Sequence, residues 1–160
     1  MGNQAINGKR KARKLALQSL YQWHMSKTDI SEIEAQFRAI NNMEKVDVEY
    51  YTRILHGVPK NLSEIELAFS PFLDRPLESL NPIELTILRL SSFELFHCLE
   101  IPYRVILDES VSLAKQFGSQ DGFRYVNGVL HNLAQKVRST EIVMTRGLNA
   151  DKDSTPKTDN

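Results

Sequence analysis

The sequence lacks the features that mark several common classes of protein. Its single cysteine, Cys98, cannot form an internal disulfide, and no apolar run approaches the roughly 18 residues that a membrane-spanning helix needs. The N-terminal segment is basic but has no apolar stretch typical of a signal peptide. These absences favour a protein of the reducing cytoplasm, with no membrane partner.

Motifs for catalysis, cofactors and metals are also scarce. The four histidines form no His-Glu-x-x-His pair, and the seven glycines are scattered rather than grouped in a phosphate-binding loop. His97 and Cys98 are neighbours and would leave a helix in different directions, which does not suit a nucleophile and its base. We therefore expect no enzyme activity, no cofactor and no metal, and we place Cys98 in the core.

Net charge is zero overall, but positive charge is concentrated at one end. The first 28 residues carry six basic side chains and no acidic one, and five of the six are Lys9, Arg10, Lys11, Arg13 and Lys14. Because non-specific affinity for nucleic acid grows with the number of phosphates neutralised, a neutral chain with one basic patch should bind locally.

The basic cluster continues directly into residues with the spacing of a packed helix. The apolar positions of that helix are Ala12, Ala16, Leu20 and Trp23. Charges fixed to an anchored helix can hold a phosphate backbone in one register, which a free tail cannot do. The alternative is a solvated, frayed end of the chain.

Hydrophobic spacing predicts an all-α fold of about seven helices, with no segment that alternates long enough to form a strand. The third predicted helix should break or kink around Gly57 to Pro59, and the clearest helix start has Asn81 as N-cap with Pro82 next. We expect a flexible segment over 1–8, a helical domain over 9–140 with halves of about 9–76 and 77–140, and a disordered tail over 141–160.

A second polar and aromatic cluster spans residues 115–128. It covers a predicted helix end, a loop and a helix start, so that its rings could stack on the bases of single-stranded RNA. The alternative is that Phe117, Phe123 and Tyr125 are core residues at helical spacing. The pattern favours the core for Phe123 and leaves both interpretations open for the other two.

Several motifs in order resemble those of the NusB transcription antitermination factor family, over about residues 9–138. They read KRxAR at 9–13, ALQSLY at 16–21, ExxxLRL at 84–90, IPYRV at 101–105, ExVxLAKxFG at 109–118 and YVNGVL at 125–130. The resemblance implies an all-helical protein built from two three-helix-like halves. It also implies binding, together with the ribosomal protein NusE, to the boxA element of ribosomal RNA leader transcripts. The pair would join elongating RNA polymerase and suppress termination.

The resemblance also assigns functional residues. Those expected to contact RNA are Lys9, Arg10, Lys11, Arg13, Phe117, Asp121 and Tyr125, to which the basic cluster adds Lys14, and those expected to face NusE are Tyr21, Glu78 and Glu84. Some members of the family form homodimers that would cover the RNA face, so a homodimer is a further expectation.

The chain departs from the family pattern at three places. The arginine-rich start is largely lysine, which loses the bidentate fork toward phosphate. Tyr125 stands where phenylalanine is usual, and residues 108–110 read Asp-Glu-Ser, which adds a negative charge. Two other functions stay open: a purely protein-binding helical adaptor, and a detached relative of the accessory domain of ribosomal RNA cytosine methyltransferases. The methyltransferases need a further domain, which we do not expect here.

Overall fold

The computed structural model describes residues 2–153, with side chains described through residue 148. Its eight α-helices are α1 Gly2–Ser26, α2 Ile30–Ile40, α3 Val48–Lys60, α4 Leu62–Phe69, α5 Pro82–His97, α6 Tyr103–Phe117, α7 Gly122–Val137 and α8 Ser139–Asp153. Two short 3-10 turns, Ser70–Phe72 and Leu77–Ser79, connect α4 to α5. No strand occurs in the described residues, which confirms the predicted all-α class.

Helix α5 is the centre of the fold. Every residue from Glu84 to Leu95 is buried, because α1, α3, α4, α6 and α7 all pack around this helix. Its start is the predicted one, since the Asn81 side chain accepts the backbone N–H groups of Ile83 and Glu84 at 2.9 and 3.3 Å. The two predicted halves therefore share one core rather than forming separate ones.

The break between α3 and α4 lies slightly later than the sequence predicts. Helix α3 continues through Pro59 and ends at Lys60, and Asn61 separates it from α4. Pro59 lies in the last turn, so the backbone donor that it lacks affects only the end of the helix, and the Asn61 side chain donates to the Gly57 carbonyl at 2.8 Å. Gly57 itself is required by packing, since a Cβ there would collide with the ring of Phe93.

Both ends of the domain carry more helix than the sequence predicts. Helix α1 already begins at Gly2, where we expected a flexible segment, and the Gly8 carbonyl accepts the Asp47 N–H at 3.1 Å. Helix α8 continues to Asp153 through residues predicted to be disordered. Buried Ile142 and the Glu141 carboxylate, which accepts the Tyr103 N–H at 2.9 Å, dock its first turn. The rest of the predicted tail, residues 154–160, lies outside the described residues.

Arg138 connects the end of α7 to the end of α5. Its buried guanidinium donates to the carbonyls of Leu95, Ile101, Cys98 and Glu94 at 2.8, 3.0, 3.1 and 3.3 Å. These are carbonyls at and just beyond the C-terminus of α5, where some backbone acceptors have no partner within the helix. Cys98 is buried beside them, as predicted, and burial raises the pKa of its thiol to about 11.

None of the helices in the described part of the chain combines the length and the apolar character that crossing a membrane would require.

Candidate nucleic-acid interface

The inward face of α1 is fixed by a buried ion pair. Arg13 is only 3% exposed, and its Nε lies 3.0 and 2.9 Å from the two carboxylate oxygens of Glu94 on α5. The Tyr50 hydroxyl donates to the same carboxylate from α3. Arg13 was expected to contact RNA, and the structure corrects that expectation, because a side chain committed to a buried carboxylate does not reach solvent. Its role here is to anchor the basic helix.

Burial and charge act in opposite directions within this ion pair. Burial raises the pKa of Glu94, and the positive charge of Arg13 opposes that rise without cancelling it. Burial tends to lower the pKa of Arg13, but the attraction of Glu94 acts in the opposite direction, and the net result is a raised pKa. Each group is thus tolerated in the core because the other is present, and losing one would leave a buried charge alone.

The outward face of α1 presents the remaining cations. Lys11 and Lys14 are exposed, whereas Lys9 is partly covered and lies 3.2 Å from Asp47. Burial tends to raise the pKa of Asp47, but hydrogen bonds from the Tyr50 N–H and from Lys9 hold it below its usual value. Arg10 is exposed, and its Nε lies 2.7 Å from Glu109 on α6. The predicted cluster therefore divides into one anchoring arginine and four cations nearer the surface.

A cleft runs between α1 and α6, and we call it the α1–α6 cleft. Its volume is about 430 Å³, and its lining residues are Arg10, Lys11, Lys14, Glu109, Ser112, Leu113 and Gln116. Three cations and two neutral polar side chains face one carboxylate, so the lining suits a polyanion. Ser112 was not predicted to belong to this surface, and Gln116 was predicted only as part of the 115–128 cluster, although their spacing of four residues places them on one face of a helix.

Lys14 joins the basic helix to the aromatic cluster. Its Nζ lies 5.7 Å from the centre of the Phe117 ring at the end of α6, within the range of a cation–π contact. Phe117 is half-buried and packs against the core on its other side. The ring therefore belongs to the core and also borders the charged surface, and its contact with RNA stays a prediction.

A second ring, Phe123, is flanked by cations. Lys115 Nζ lies 4.8 Å and the Arg124 guanidinium carbon 5.5 Å from the centre of the ring, which is half-buried. An adjoining cleft of about 530 Å³ is lined by Asp108, Val111, Ser112, Phe123, Arg124 and Asn127, and it shares Ser112 with the α1–α6 cleft. Lys115 and Arg124 lie within the 115–128 cluster, but they were not among the residues expected to contact RNA. Lys115 approaches Phe123 through the packing of α6 on α7, whereas Arg124 is the next residue along α7.

Tyr125 and Asp121 lie in different surroundings. Asp121 is exposed just before α7, as the sequence suggests. The Tyr125 hydroxyl instead accepts the Asp74 N–H at 3.2 Å, and the guanidinium carbon of Arg75 lies 4.7 Å from the ring centre. Burial raises the pKa of the Tyr125 hydroxyl. The ring is therefore already in contact with the loop after α4, and a base could stack on it only by displacing Arg75.

The three residues expected to face a protein partner do not share one environment. Tyr21 is half-buried on α1 and Glu78 is exposed in the second 3-10 turn. Glu84 is buried, and it accepts the Ser119 hydroxyl at 2.7 Å. A Cβ on Gly122 would collide with the Glu84 carboxylate, so this side chain fills the space beneath the loop between α6 and α7. The structure thus corrects the expected exposure of Glu84 and assigns it to supporting the loop that contains Asp121.

Known structures share this arrangement of helices. The chain is similar to T. maritima NusB, with a TM-score of 0.69 and 27% identity, over 79% of this chain and 90% of that one. A chain of the crystal structure of antitermination factors NusB and NusE in complex with dsRNA has the same fold, with a TM-score of 0.71 at 22% identity, over 85% and 99% of the two chains. The fold and the charged first helix thus define an all-helical protein of the NusB type.

Sequence comparison identifies the family. Residues 10–135 match the NusB family. The chain is 66% identical to the transcription antitermination protein NusB of Legionella pneumophila (strain Corby) over 142 residues, which are 89% of this chain and 97% of that protein. It is 52% identical to the protein of the same name from Pseudomonas entomophila (strain L48), over 84% and 81% of the two chains. The chain belongs to the NusB family.

Proposed function

We propose that this chain is a non-catalytic transcription antitermination factor that binds boxA RNA of ribosomal RNA leader transcripts together with NusE. The pair joins elongating RNA polymerase and helps it to read through terminators, in the bacterial cytoplasm where transcripts are made. Membership of the NusB family supports this function, and relatives as similar as 66% identical carry the name of transcription antitermination protein.

The observation that carries the RNA-binding part is the pairing of cations and an aromatic ring beside the α1–α6 cleft. Lys11 and Lys14 are exposed and have no ion-pair partner in the part of the chain that the structure describes, and the centre of the Phe117 ring lies 5.7 Å from Lys14 Nζ. Single-stranded RNA is commonly held by a positively charged groove that follows the backbone and by rings on which bases stack. The anchored helix presents its charges in one fixed register, which can position the phosphate backbone of an RNA.

We infer NusE as the partner of this chain from its structural relatives, because a solved complex contains NusB and NusE with RNA. Binding of the partner and of RNA should be coupled, because a basic protein bound alongside would enlarge the positive surface. Exposed Glu78 and half-buried Tyr21 are the residues that we propose to contact it. A protein-binding adaptor that never touches RNA is the second candidate, favoured by the small number of free cations on α1.

The decisive experiment is a fluorescence anisotropy titration of a boxA-like RNA and a scrambled RNA, each with and without purified NusE, at two salt concentrations. We expect tighter binding to the boxA-like RNA, further tightening with NusE, and weaker binding at high salt. Equal, weak binding of both RNAs with no effect of NusE would contradict the proposal. Binding of NusE without any RNA retention would favour the adaptor.

A further inference from the structure

A second cleft lies on the other side of Lys11 and Lys14, between α1 and the connection from α2 to α3, and we call it the α1–α2 cleft. Its volume is about 210 Å³, and both lysines line it as they line the α1–α6 cleft. The two clefts therefore flank one ridge of positive charge. A strand whose phosphates cross that ridge can place nucleotides on both sides of it.

Amide side chains surround the α1–α2 cleft. Gln18 is exposed on α1, and no partner for its amide is found among the described residues. Asn41 uses its Nδ2 to donate to the Phe37 carbonyl at 2.9 Å, which leaves its Oδ1 free, and Asn42 uses its Oδ1 to accept the Glu44 N–H at 3.0 Å, which leaves its Nδ2 free. Amides offer a donor and an acceptor side by side, and the edges of unpaired bases carry the same combination.

The remaining lining of the α1–α2 cleft is apolar. Leu15 and Val46 form it, and no carboxylate lines the cleft in the part of the chain that the structure describes. An apolar floor suits the face of a base, and amides at the rim suit its edge. Pockets for drug-sized ligands are usually about 300 Å³ or more, so a cleft of about 210 Å³ suits a fragment of the size of one base.

We propose that the α1–α2 cleft is a second subsite of the RNA interface, which takes one unpaired base of the strand whose phosphates contact Lys11 and Lys14. This inference rests on the proposed function, because it extends the same RNA beyond the α1–α6 cleft. Gln18 and Asn42 are the residues that read the base, and their amides give the subsite a preference that the lysines cannot supply.

The test measures how tightly each protein variant binds RNAs of different length. Gln18→Ala removes one amide that makes no side-chain hydrogen bond to the described residues, and Asn42→Ser removes the other while its hydroxyl can still accept the Glu44 N–H. Gln36→Ala is the matched control, because Gln36 is an exposed amide on α2 that does not line the cleft. Each protein is titrated with a boxA-like RNA extended at both ends and with the same RNA trimmed at its 5′ or its 3′ end.

We expect Gln18→Ala and Asn42→Ser each to weaken binding of the extended RNA about threefold. With one of the two trimmed RNAs, each variant should bind as well as the unchanged protein, because the base that occupies the α1–α2 cleft is then absent. Gln36→Ala should match the unchanged protein on every RNA, and thermal unfolding should confirm that all variants fold.

Two results would overturn the subsite while leaving the proposed function intact. In the first, both variants bind all three RNAs as tightly as the unchanged protein does. In the second, each variant loses the same amount of affinity for all three RNAs. Failure of the unchanged protein to bind any of the RNAs would contradict the proposed function itself, and the subsite with it. If Gln18→Ala changes NusE binding but not RNA binding, the cleft takes a protein segment and the proposal is wrong.

Discussion

The two faces of α1 carry the same kind of charge in opposite surroundings. Arg13 faces inward and pairs with Glu94, to which Tyr50 also donates, whereas Lys11 and Lys14 face outward and have no ion-pair partner among the described residues. Removing the inward charge should change folding, and removing the outward charges should change binding. Within one run of basic residues on a helix, one side chain can thus anchor the helix while its neighbours remain available to a ligand.

The largest expected effect comes from the inward face. Arg13→Ala should lower the free energy of unfolding by about 3–5 kcal/mol, because it leaves the buried Glu94 carboxylate without its counter-ion. Urea denaturation followed by circular dichroism measures this loss. The double variant Arg13→Met with Glu94→Gln should be more stable than the single one, since both charges are then gone. A single variant as stable as the unchanged protein would refute the anchoring role.

The next effect concerns Glu78 and Glu84, which were assigned from the sequence to the same partner surface. Glu84→Lys should lower the free energy of unfolding by about 2–3 kcal/mol. The substitution removes the acceptor of the Ser119 hydrogen bond, and the new ammonium group must leave the buried position to reach water. Glu78→Lys should change stability by no more than about 0.5 kcal/mol, because Glu78 is exposed. Thermal unfolding compares the two, and calorimetry with NusE should show weaker binding for Glu78→Lys. Equal stability losses would contradict the difference in burial.

Removing the outward charges should affect RNA rather than folding. The double variant Lys11→Gln with Lys14→Gln should weaken RNA binding about tenfold and lower the slope of log affinity against log salt by about two. Lys60→Gln with Lys136→Gln is the charge-matched control, because both lysines are exposed on other helices. An unchanged slope would remove Lys11 and Lys14 from the interface.

The smallest expected effect is a gain. Glu109→Gln should tighten RNA binding about threefold, because it releases Arg10 from the carboxylate that lies 2.7 Å from its Nε. The loss of stability should stay below about 1 kcal/mol, since the Arg10 side chain is 58% exposed although that of Glu109 is 15% exposed, and solvent weakens the pair from the arginine side. Anisotropy titrations at low salt measure the gain, and the added variant Arg10→Ala should abolish it. Weaker binding of Glu109→Gln would mean that the carboxylate itself helps to hold the RNA.

Much of the fold follows from local signals in the sequence. Apolar spacing predicts the helices, and Asn81 with Pro82 predicts the start of α5, because each signal acts through neighbours in the chain. The inward turn of Arg13 and the burial of Glu84 could not be predicted in this way. Both depend on partners on other helices, Glu94 and Ser119, and charged side chains usually remain exposed.

The candidate interface was predicted in its parts but not in its arrangement. The basic cluster and Phe117 were both assigned to RNA from the sequence, yet only the packing of α1 beside α6 brings Lys14 to that ring. Tyr125 was assigned with them, but its ring lies against Arg75 from the loop after α4. Side chains far apart in sequence meet only in the folded chain, so their pairing is a property of tertiary structure.

The hydrogen bonds of Arg138 show how far along the chain residues are needed to complete the core. The match to the family stops at residue 135, but the carbonyls at the end of α5 depend on a side chain three positions further along. Ile142 then closes the core beyond it. Shortening the chain to the family boundary would therefore open the interior from its far end, whereas a cut placed after Ile142 would preserve these contacts.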